Sequence, residues 1–145
     1  MQSRLPRKID IHEVVLRDGI QNEKKLVSTD QKIKLINTLT ECGVRRIEVS
    51  SFVNPRLVPQ MADAEKLWSM VRRRKGVVYA ALVLNERGLE RAMRCGVPQV
   101  GVYVSASETH SRKNSNVSTA EAMKEAGLLI EKAHGAGMEV RAGVM

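Results

Sequence analysis

The chain has 145 residues, of which 43% are hydrophobic and 3% aromatic, and its formal net charge is +8. This length accommodates one compact domain rather than two, and the hydrophobic content excludes a disordered chain. No stretch approaches the roughly eighteen apolar residues of a membrane span, and the opening residues contain no signal-peptide segment, so we predict a cytoplasmic protein that does not bind membranes.

The first predicted strand covers residues 9–16 and is followed at once by Arg17, Asp18 and a polar turn with the sequence GIQNEK. An Asp-Gly pair is ordinarily a simple turn, and an arginine beside it is ordinarily solvated. No G-x-G-x-x-G segment follows this strand, which disfavours a dinucleotide-binding fold. The role of Arg17 and Asp18 therefore depends on the rest of the chain.

After the first strand, the chain repeats one pattern four times: a glycine, then Val or Met, then a β-rich run. A glycine in this place is typical of a helix end, where the backbone adopts a left-handed conformation. The glycines are Gly43, Gly76, Gly96 and Gly137, and the strands that follow them are predicted near 46–50, 77–83, 99–105 and 139–144.

Helices fill the intervals between the predicted strands. Capping-box spacing at Ser28 and Ser118 begins the first and fourth helices, and the second and third are predicted at 62–73 and 86–94. Each successive pair of strands is thus joined by a helix. This alternation predicts a parallel sheet with right-handed crossovers, either doubly wound or closed as a barrel.

The positive charge is densest at residues 72–75, RRRK, at the predicted end of the second helix, where cations would meet the negative end of the helix dipole. No aromatic residues are interleaved with these cations to stack on bases, so we predict no nucleic-acid partner. Cys42 and Cys95 lack C-x-x-C spacing and are predicted to be buried thiols rather than a metal or redox pair.

Polar residues collect at the predicted carboxyl ends of the strands. In parallel α/β folds these ends form the active site, although a single Asp or Arg there is commonly a cap or a surface ion pair. Taken together, these residues favour a metal-assisted site for an anionic substrate. They are Arg17, Asp18 and Gln21 after the first strand, Glu48, Ser50 and Ser51 on the second, Ser105, Ser107, Glu108 and His110 after the fourth, and Arg141 in the fifth.

Three segments closely resemble the hydroxymethylglutaryl-CoA lyase family: VVLRDGIQNEKKLVST (14–29), IEVSSFVNPRLVPQMAD (47–63) and SASETHSRKNSN (105–116). This family is a branch of a metal-dependent lyase and synthase superfamily with a TIM-barrel fold. The resemblance implies an α/β fold, the (β/α)8 TIM barrel. Residues 1–145 would form only its N-terminal half, with five parallel strands and four helices, and would end within the fifth strand.

The resemblance also implies a reaction, the divalent-metal-dependent retro-Claisen cleavage of 3-hydroxy-3-methylglutaryl-CoA to acetyl-CoA and acetoacetate, a step of leucine catabolism. Asp18 would bind Mg²⁺ or Mn²⁺, and Arg17 would stabilise the enolate. Glu48 would be a second catalytic residue, close to the reacting groups. The residues that would bind the acyl-CoA substrate are Arg17, Gln21, Ser51, Asn114 and Arg141.

The other metal ligands of that family are a His-x-His pair and an asparagine on later strands, and a loop cysteine donates a proton. These have no counterpart here, because His12, His110 and His134 are isolated in the sequence. We therefore predict that this chain alone is inactive, and that its incomplete sheet edge promotes homo-oligomers. A Claisen-type synthase that condenses an acyl-CoA with a 2-oxo acid, and a non-catalytic half-barrel, are the alternatives.

Overall fold

The computed structural model describes residue 6 and residues 8–145, and most of the opening residues on which the signal-peptide prediction rests lie outside them. One sheet contains five parallel strands, β1 (His12–Glu13), β2 (Arg46–Ser51), β3 (Val78–Leu82), β4 (Gln99–Val104) and β5 (Glu139–Val144). The α-helices are α1 (Thr29–Glu41), α2 (Ala64–Met70), α3 (Glu86–Arg94), α4 (Glu108–Ser115) and α5 (Thr119–Gly135). A π-helical turn (Val15–Gly19) follows β1, and a 3-10 turn (Pro59–Met61) precedes α2.

The strands are hydrogen-bonded in chain order, β1-β2-β3-β4-β5, and every neighbouring pair is parallel. A doubly wound sheet would reverse its strand order at some point, and this sheet does not. The predicted α/β half-barrel is therefore confirmed. The open question of the sequence, doubly wound sheet or barrel, is settled in favour of the barrel.

A hydrophobic layer lies between the sheet and the helices. Alternate residues of the central strands supply one side of it, and α1, α2, α3 and α5 supply the other. Each large side chain buried there stabilises the fold by about 1.5–3 kcal/mol. Its most buried members include Ile36, Ile47, Val49, Leu67, Tyr79, Leu89 and Val100. Strand residues of the opposite alternation, such as Glu48 and Gln99, face the inside of the half-barrel, which is consequently polar.

Most of the sequence signals at the helix ends are confirmed. Ser28 and Gln31 form a capping box at the start of α1, and Ser118 and Glu121 form one at the start of α5. Positive φ angles occur at all four predicted glycines, and Gly43, Gly96 and Gly137 directly follow α1, α3 and α5. Gly76 does not follow a helix end as predicted, because α2 already ends at Met70 and Gly76 lies in the turn before β3. These local signals place β2, β3, β4 and β5 within one or two residues of their predicted bounds.

The first strand is much shorter than predicted, because only two residues pair with β2. The apolar run that follows them forms the π-helical turn instead of more strand. The carbonyl of Val14 accepts hydrogen bonds from the backbone N–H groups of Arg17 and Asp18, at 3.0 and 2.8 Å, which curls the chain out of the sheet. Arg17 and Asp18 therefore lie on a helical turn rather than directly at a strand end.

The second helix is also shorter than predicted, since α2 ends at Met70. Residues 72–75 therefore follow its C-cap, Val71, instead of forming its last turn. Arg73 instead donates a hydrogen bond of 2.6 Å to the carbonyl of Gly96, just past the end of α3. The cation thus satisfies a carbonyl at the end of a neighbouring helix.

α4 was not predicted, because its sequence ETHSRKNS contains no apolar residue that could show a helical period. The side chain of Ser107 caps its start by accepting the N–H of His110 at 3.3 Å. Asn116, with a left-handed φ of 58°, ends it. The connection between β4 and α5 therefore contains a short helix in addition to the four that were predicted.

Two further predictions concern thiols and membranes. Cys42 is exposed and Cys95 is half-buried, so the prediction of buried thiols is wrong for Cys42. Both are C-cap residues, which lie at the rim of the hydrophobic layer rather than inside it. In the described part of the chain, no helix is long and apolar enough to cross a membrane.

Candidate active site

The π-helical turn holds Arg17 and Asp18 beside the inside of the half-barrel. Leu16, just before them, is fully buried and joins the turn to the hydrophobic layer. The side chain of Arg17 is 18% exposed, whereas that of Asp18 is 57% exposed. The turn therefore directs a guanidinium inward and leaves its neighbouring carboxylate open to solvent.

The guanidinium of Arg17 lies between two carboxylates. Its Nε donates to Oε1 of Glu48 on β2, and its Nη1 donates to Oδ1 of Asp18 at 2.8 Å. Glu48 is almost fully buried, with its side chain 2% exposed. Removing one partner of a buried ion pair leaves an uncompensated charge, which is costly. The guanidinium of Arg17 and the carboxylate of Glu48 therefore hold each other in place. A guanidinium has five N–H donors, and donors therefore remain for a ligand.

His12 on β1 approaches the second oxygen of the same carboxylate, with Nε2 3.6 Å from Oε2 of Glu48. This Nε2 is buried and has no hydrogen-bond partner among the described residues. Burial lowers the pKa of His12, the charge of Arg141 lowers it further, and Glu48 opposes them. The net effect keeps the imidazole neutral near neutral pH.

Tyr103 on β4 is a candidate site residue that the sequence did not indicate. Burial raises its pKa, and the charges of Arg141, Glu48 and Arg17 also act on it. Arg141 belongs to the neighbouring strand, where it pairs in register with Gly101. The available signal was a glycine inside each of the last two strands, because strand glycines mark places where another group approaches closely.

A cleft of about 410 Å³ opens beside these residues. α4 forms part of its wall, and this helix is the reason that His110 and Asn114 reach it. Two other predicted site residues, Arg17 and Gln21, line the cleft as well. Tyr103 and Ser105 from the end of β4 complete this part of the lining. Residues distant in sequence therefore meet at one opening.

The remaining predicted site residues lie outside the cleft lining. Glu48 and Asp18 are joined to it through their contacts with Arg17. Ser51 is fully buried on β2, and its Oγ has no partner among the described residues. Arg141 is exposed on β5, near enough to influence the pKa values of His12 and Tyr103. Arg17 is thus the centre of the cluster, and Ser51 and Arg141 stand at its margin.

The described residues fit one ligand of a metal ion rather than a complete metal centre. They contain no group of three or more His, Cys, Asp or Glu side chains that could hold a metal. Asp18 offers an exposed carboxylate, and carboxylate oxygens suit hard cations such as Mg²⁺. One of its oxygens already accepts a hydrogen bond from Arg17. Further ligands would have to come from outside the described residues.

The comparison with protein families matches residues 8–145 to a family described as HMGL-like. A hydroxymethylglutaryl-CoA lyase of Bacillus subtilis is 48% identical over 118 residues, which are 81% of this chain and 40% of that protein. A protein of Pseudomonas aeruginosa, named 3-hydroxy-3-isohexenylglutaryl-CoA/hydroxymethylglutaryl-CoA lyase, is 41% identical over 137 residues, or 94% of this chain and 46% of the relative.

A solved structure shares the fold. The crystal structure of the Bacillus subtilis HMG-CoA lyase superposes with a TM-score of 0.92 and 44% identity, over 96% of this chain and 47% of that one. The chain therefore spans about half the length of the relatives that it matches. Its five strands correspond to part of a TIM-barrel enzyme.

Proposed function

The chain belongs to the HMGL-like family, and we propose that it is the N-terminal half of a hydroxymethylglutaryl-CoA lyase. The full-length enzyme would cleave 3-hydroxy-3-methylglutaryl-CoA into acetyl-CoA and acetoacetate by a retro-Claisen reaction. The observation that carries this proposal is the guanidinium of Arg17, held by the buried carboxylate of Glu48 at the edge of the cleft.

Arg17 would stabilise the charge that develops when the carbon-carbon bond breaks. In this cleavage, the hydroxyl on carbon 3 loses its proton and becomes the ketone of acetoacetate. The electrons of the breaking carbon-carbon bond move onto the thioester, whose oxygen becomes negative as the enolate forms, and the enolate then takes up a proton to give acetyl-CoA. A cationic donor fixed in place before the reaction stabilises this charge without reorganising. The loss of one such preorganised donor typically lowers the rate about 10²- to 10³-fold. Arg17 is suited to this role because two carboxylates hold it.

Glu48 would act in catalysis by holding Arg17 in its reactive orientation, close to the reacting groups. Its Oε1 accepts the Nε–H of Arg17, which leaves the two terminal nitrogens of the guanidinium directed elsewhere. Nη1 contacts Asp18, so the remaining donors can address the substrate. The carboxylate is almost fully buried, so water has little access to compete with Arg17 for it.

Asp18 would supply one carboxylate ligand to a divalent cation, Mg²⁺ or Mn²⁺. When bound, such a cation would polarise the substrate hydroxyl and a carbonyl. Asp18 is the exposed member of the cluster, so its outward oxygen is accessible. Gln21, Ser51, Asn114 and Arg141 would orient the acyl-CoA, with Gln21 and Asn114 placed on the cleft wall.

The names of the relatives agree on the type of reaction but differ in the group on carbon 3 of the substrate. The names of the relatives include a methyl group at this position and, for the Pseudomonas protein, an isohexenyl group as well. We propose the methyl compound as the substrate, because it is common to both names.

The test is product analysis with the full-length protein, in which this chain continues to the length of its relatives. With Mg²⁺ or Mn²⁺ present, it should release acetoacetate from the hydroxymethylglutaryl thioester. Residues 1–145 alone, as the matched control, should release none, because one carboxylate does not make a metal centre. Condensation of an acyl-CoA with a 2-oxo acid, without cleavage, would identify a synthase instead and refute the proposal.

A further inference from the structure

The ring of Tyr103 lies across two glycines on adjacent strands. A methyl group placed on Gly101 of β4 would lie 2.9 Å from Cε2 of the ring, and one placed on Gly143 of β5 would lie 2.7 Å from Cδ1. Both distances are below the 3.0 Å that real Cβ contacts respect. The ring therefore occupies space that side chains at these two positions would otherwise fill.

The environment of Tyr103 differs from that of Tyr79, the other tyrosine of the sheet. Tyr79 on β3 is 1% exposed within the hydrophobic layer, and its hydroxyl accepts the backbone N–H of Arg74 at 3.2 Å. Tyr103 is half-buried and lines the cleft together with Arg17. Tyr79 is consequently a packing residue, whereas the ring of Tyr103 is presented to whatever occupies the cleft.

The phenol of Tyr103 stays uncharged at neutral pH. Its ordinary pKa is 10.0, burial raises it, and the charge of Glu48 raises it too, while Arg141 and Arg17 oppose the change. A neutral aromatic ring contributes shape rather than charge to a cleft that both polar residues and apolar ones, such as Leu57 and Leu82, line. Such a ring discriminates between ligands by the volume that it leaves free.

We propose that Tyr103 is the residue that limits the size of the substituent on carbon 3 of the acyl-CoA substrate. The inference rests on the proposed lyase function. It depends on the two glycines, because they let the ring lie flat against β4 and β5 beside Arg17. Removing the ring should open the cleft to larger substituents at that position.

The experiment compares two thioesters with the full-length protein, one with a methyl group on carbon 3 and one with a longer linear alkyl group there. Tyr103→Ala should raise the ratio of kcat/KM for the longer compound over the methyl compound about tenfold or more, since about tenfold is the lower end of the discrimination that one methylene gives in a pocket. Tyr103→Phe should leave this ratio close to that of the unsubstituted protein, because the ring remains. Tyr79→Phe is the matched control on the opposite face of the sheet and should leave it unchanged.

A double-mutant cycle with Gly143→Ala tests, without any substrate, whether the ring of Tyr103 packs against Gly143. Gly143 has no positive φ, so alanine there acts through steric contact alone. Gly143→Ala should lower the urea midpoint in the presence of the tyrosine and have little effect in the Tyr103→Ala background. If the two substitutions change the urea midpoint additively, the ring of Tyr103 does not pack against Gly143, and the proposed position of the ring is wrong.

The kinetic outcomes separate this inference from the function on which it rests. An active protein whose Tyr103→Ala variant keeps the same ratio would refute the role of Tyr103 and leave the lyase function intact. A Tyr103→Phe variant that shifts the ratio as much as Tyr103→Ala would also refute it. The hydroxyl rather than the ring would then determine the preference between the two thioesters. A full-length protein that cleaves neither thioester would refute the lyase function itself.

Discussion

Glu48→Gln should loosen Arg17 and destabilise the fold. The substitution keeps the volume of the side chain and one acceptor oxygen, but it removes the charge that faces the guanidinium. Breaking a buried ion pair by removing one partner costs about 3–5 kcal/mol. Arg17 is 18% exposed and would keep its contact with Asp18, so the cost should be smaller. We expect a loss of about 2 kcal/mol in the free energy of unfolding, the scale of one hydrogen bond to a charged group.

The assay is urea unfolding of the full-length protein at neutral pH, with Glu41→Gln as the control. Glu41 pairs with Arg74 at 3.0 Å, but its side chain is 62% exposed and that of Arg74 is 48% exposed. Exposed pairs contribute no more than about 1 kcal/mol, so the control should change little. Equal losses for Glu48→Gln and Glu41→Gln would refute the reasoning, because burial would then make no difference to the ion pair.

Three further predictions follow from other contacts. Lys32 is 2% exposed, and its Nζ contacts Oδ1 of Asp63 at 2.6 Å. Lys32→Met should leave that carboxylate without its ion-pair partner and lower the free energy of unfolding by about 3 kcal/mol. An unchanged urea midpoint would contradict this. Because burial lowers the pKa of His12, the unfolded chain binds more protons than the folded one below the ordinary value of 6.5. Stability should therefore fall as the pH is lowered through 6.5, the ordinary pKa of histidine, and His12→Asn should flatten that part of the profile. A His12→Asn profile identical to that of the unsubstituted protein would rule the contribution out. In the full-length protein, Asp18→Asn should weaken Mn²⁺ binding in calorimetry while Arg17→Met spares it, since a guanidinium has no lone pair to offer; equal weakening would indicate a structural ion pair only.

The fold was predictable from sequence because its signals are local. Glycines after α1, α3 and α5 and the capping serines Ser28 and Ser118 specify where most of these helices begin or end, within a few residues of each position. Repetition of the same unit then predicts an unreversed parallel sheet. Where local signals conflict or are absent, the prediction was wrong. The run at residues 14–16 is apolar enough for a strand but curls into a π-helical turn, and α4 has no apolar residues to reveal it.

The candidate site was only partly predictable, because its contacts join distant residues. Arg17 and Glu48 were each selected for their strand-end positions, but their hydrogen bond spans 31 residues and no local pattern encodes it. Tyr103 was missed for the same reason. Its place depends on a glycine of its own strand and another on β5, and only the sheet register brings the second one beneath the ring.

The most direct test of the central claim, that Arg17 stabilises the enolate in a lyase, is the rate of acetoacetate release by full-length Arg17→Met. The variant should lose about 10²- to 10³-fold in kcat, as expected for one preorganised donor. Arg94→Met, which removes an exposed arginine at the end of α3, should retain the rate of the unsubstituted protein. If Arg17→Met releases acetoacetate as fast as Arg94→Met, then Arg17 does not stabilise the reaction and the proposed site is wrong.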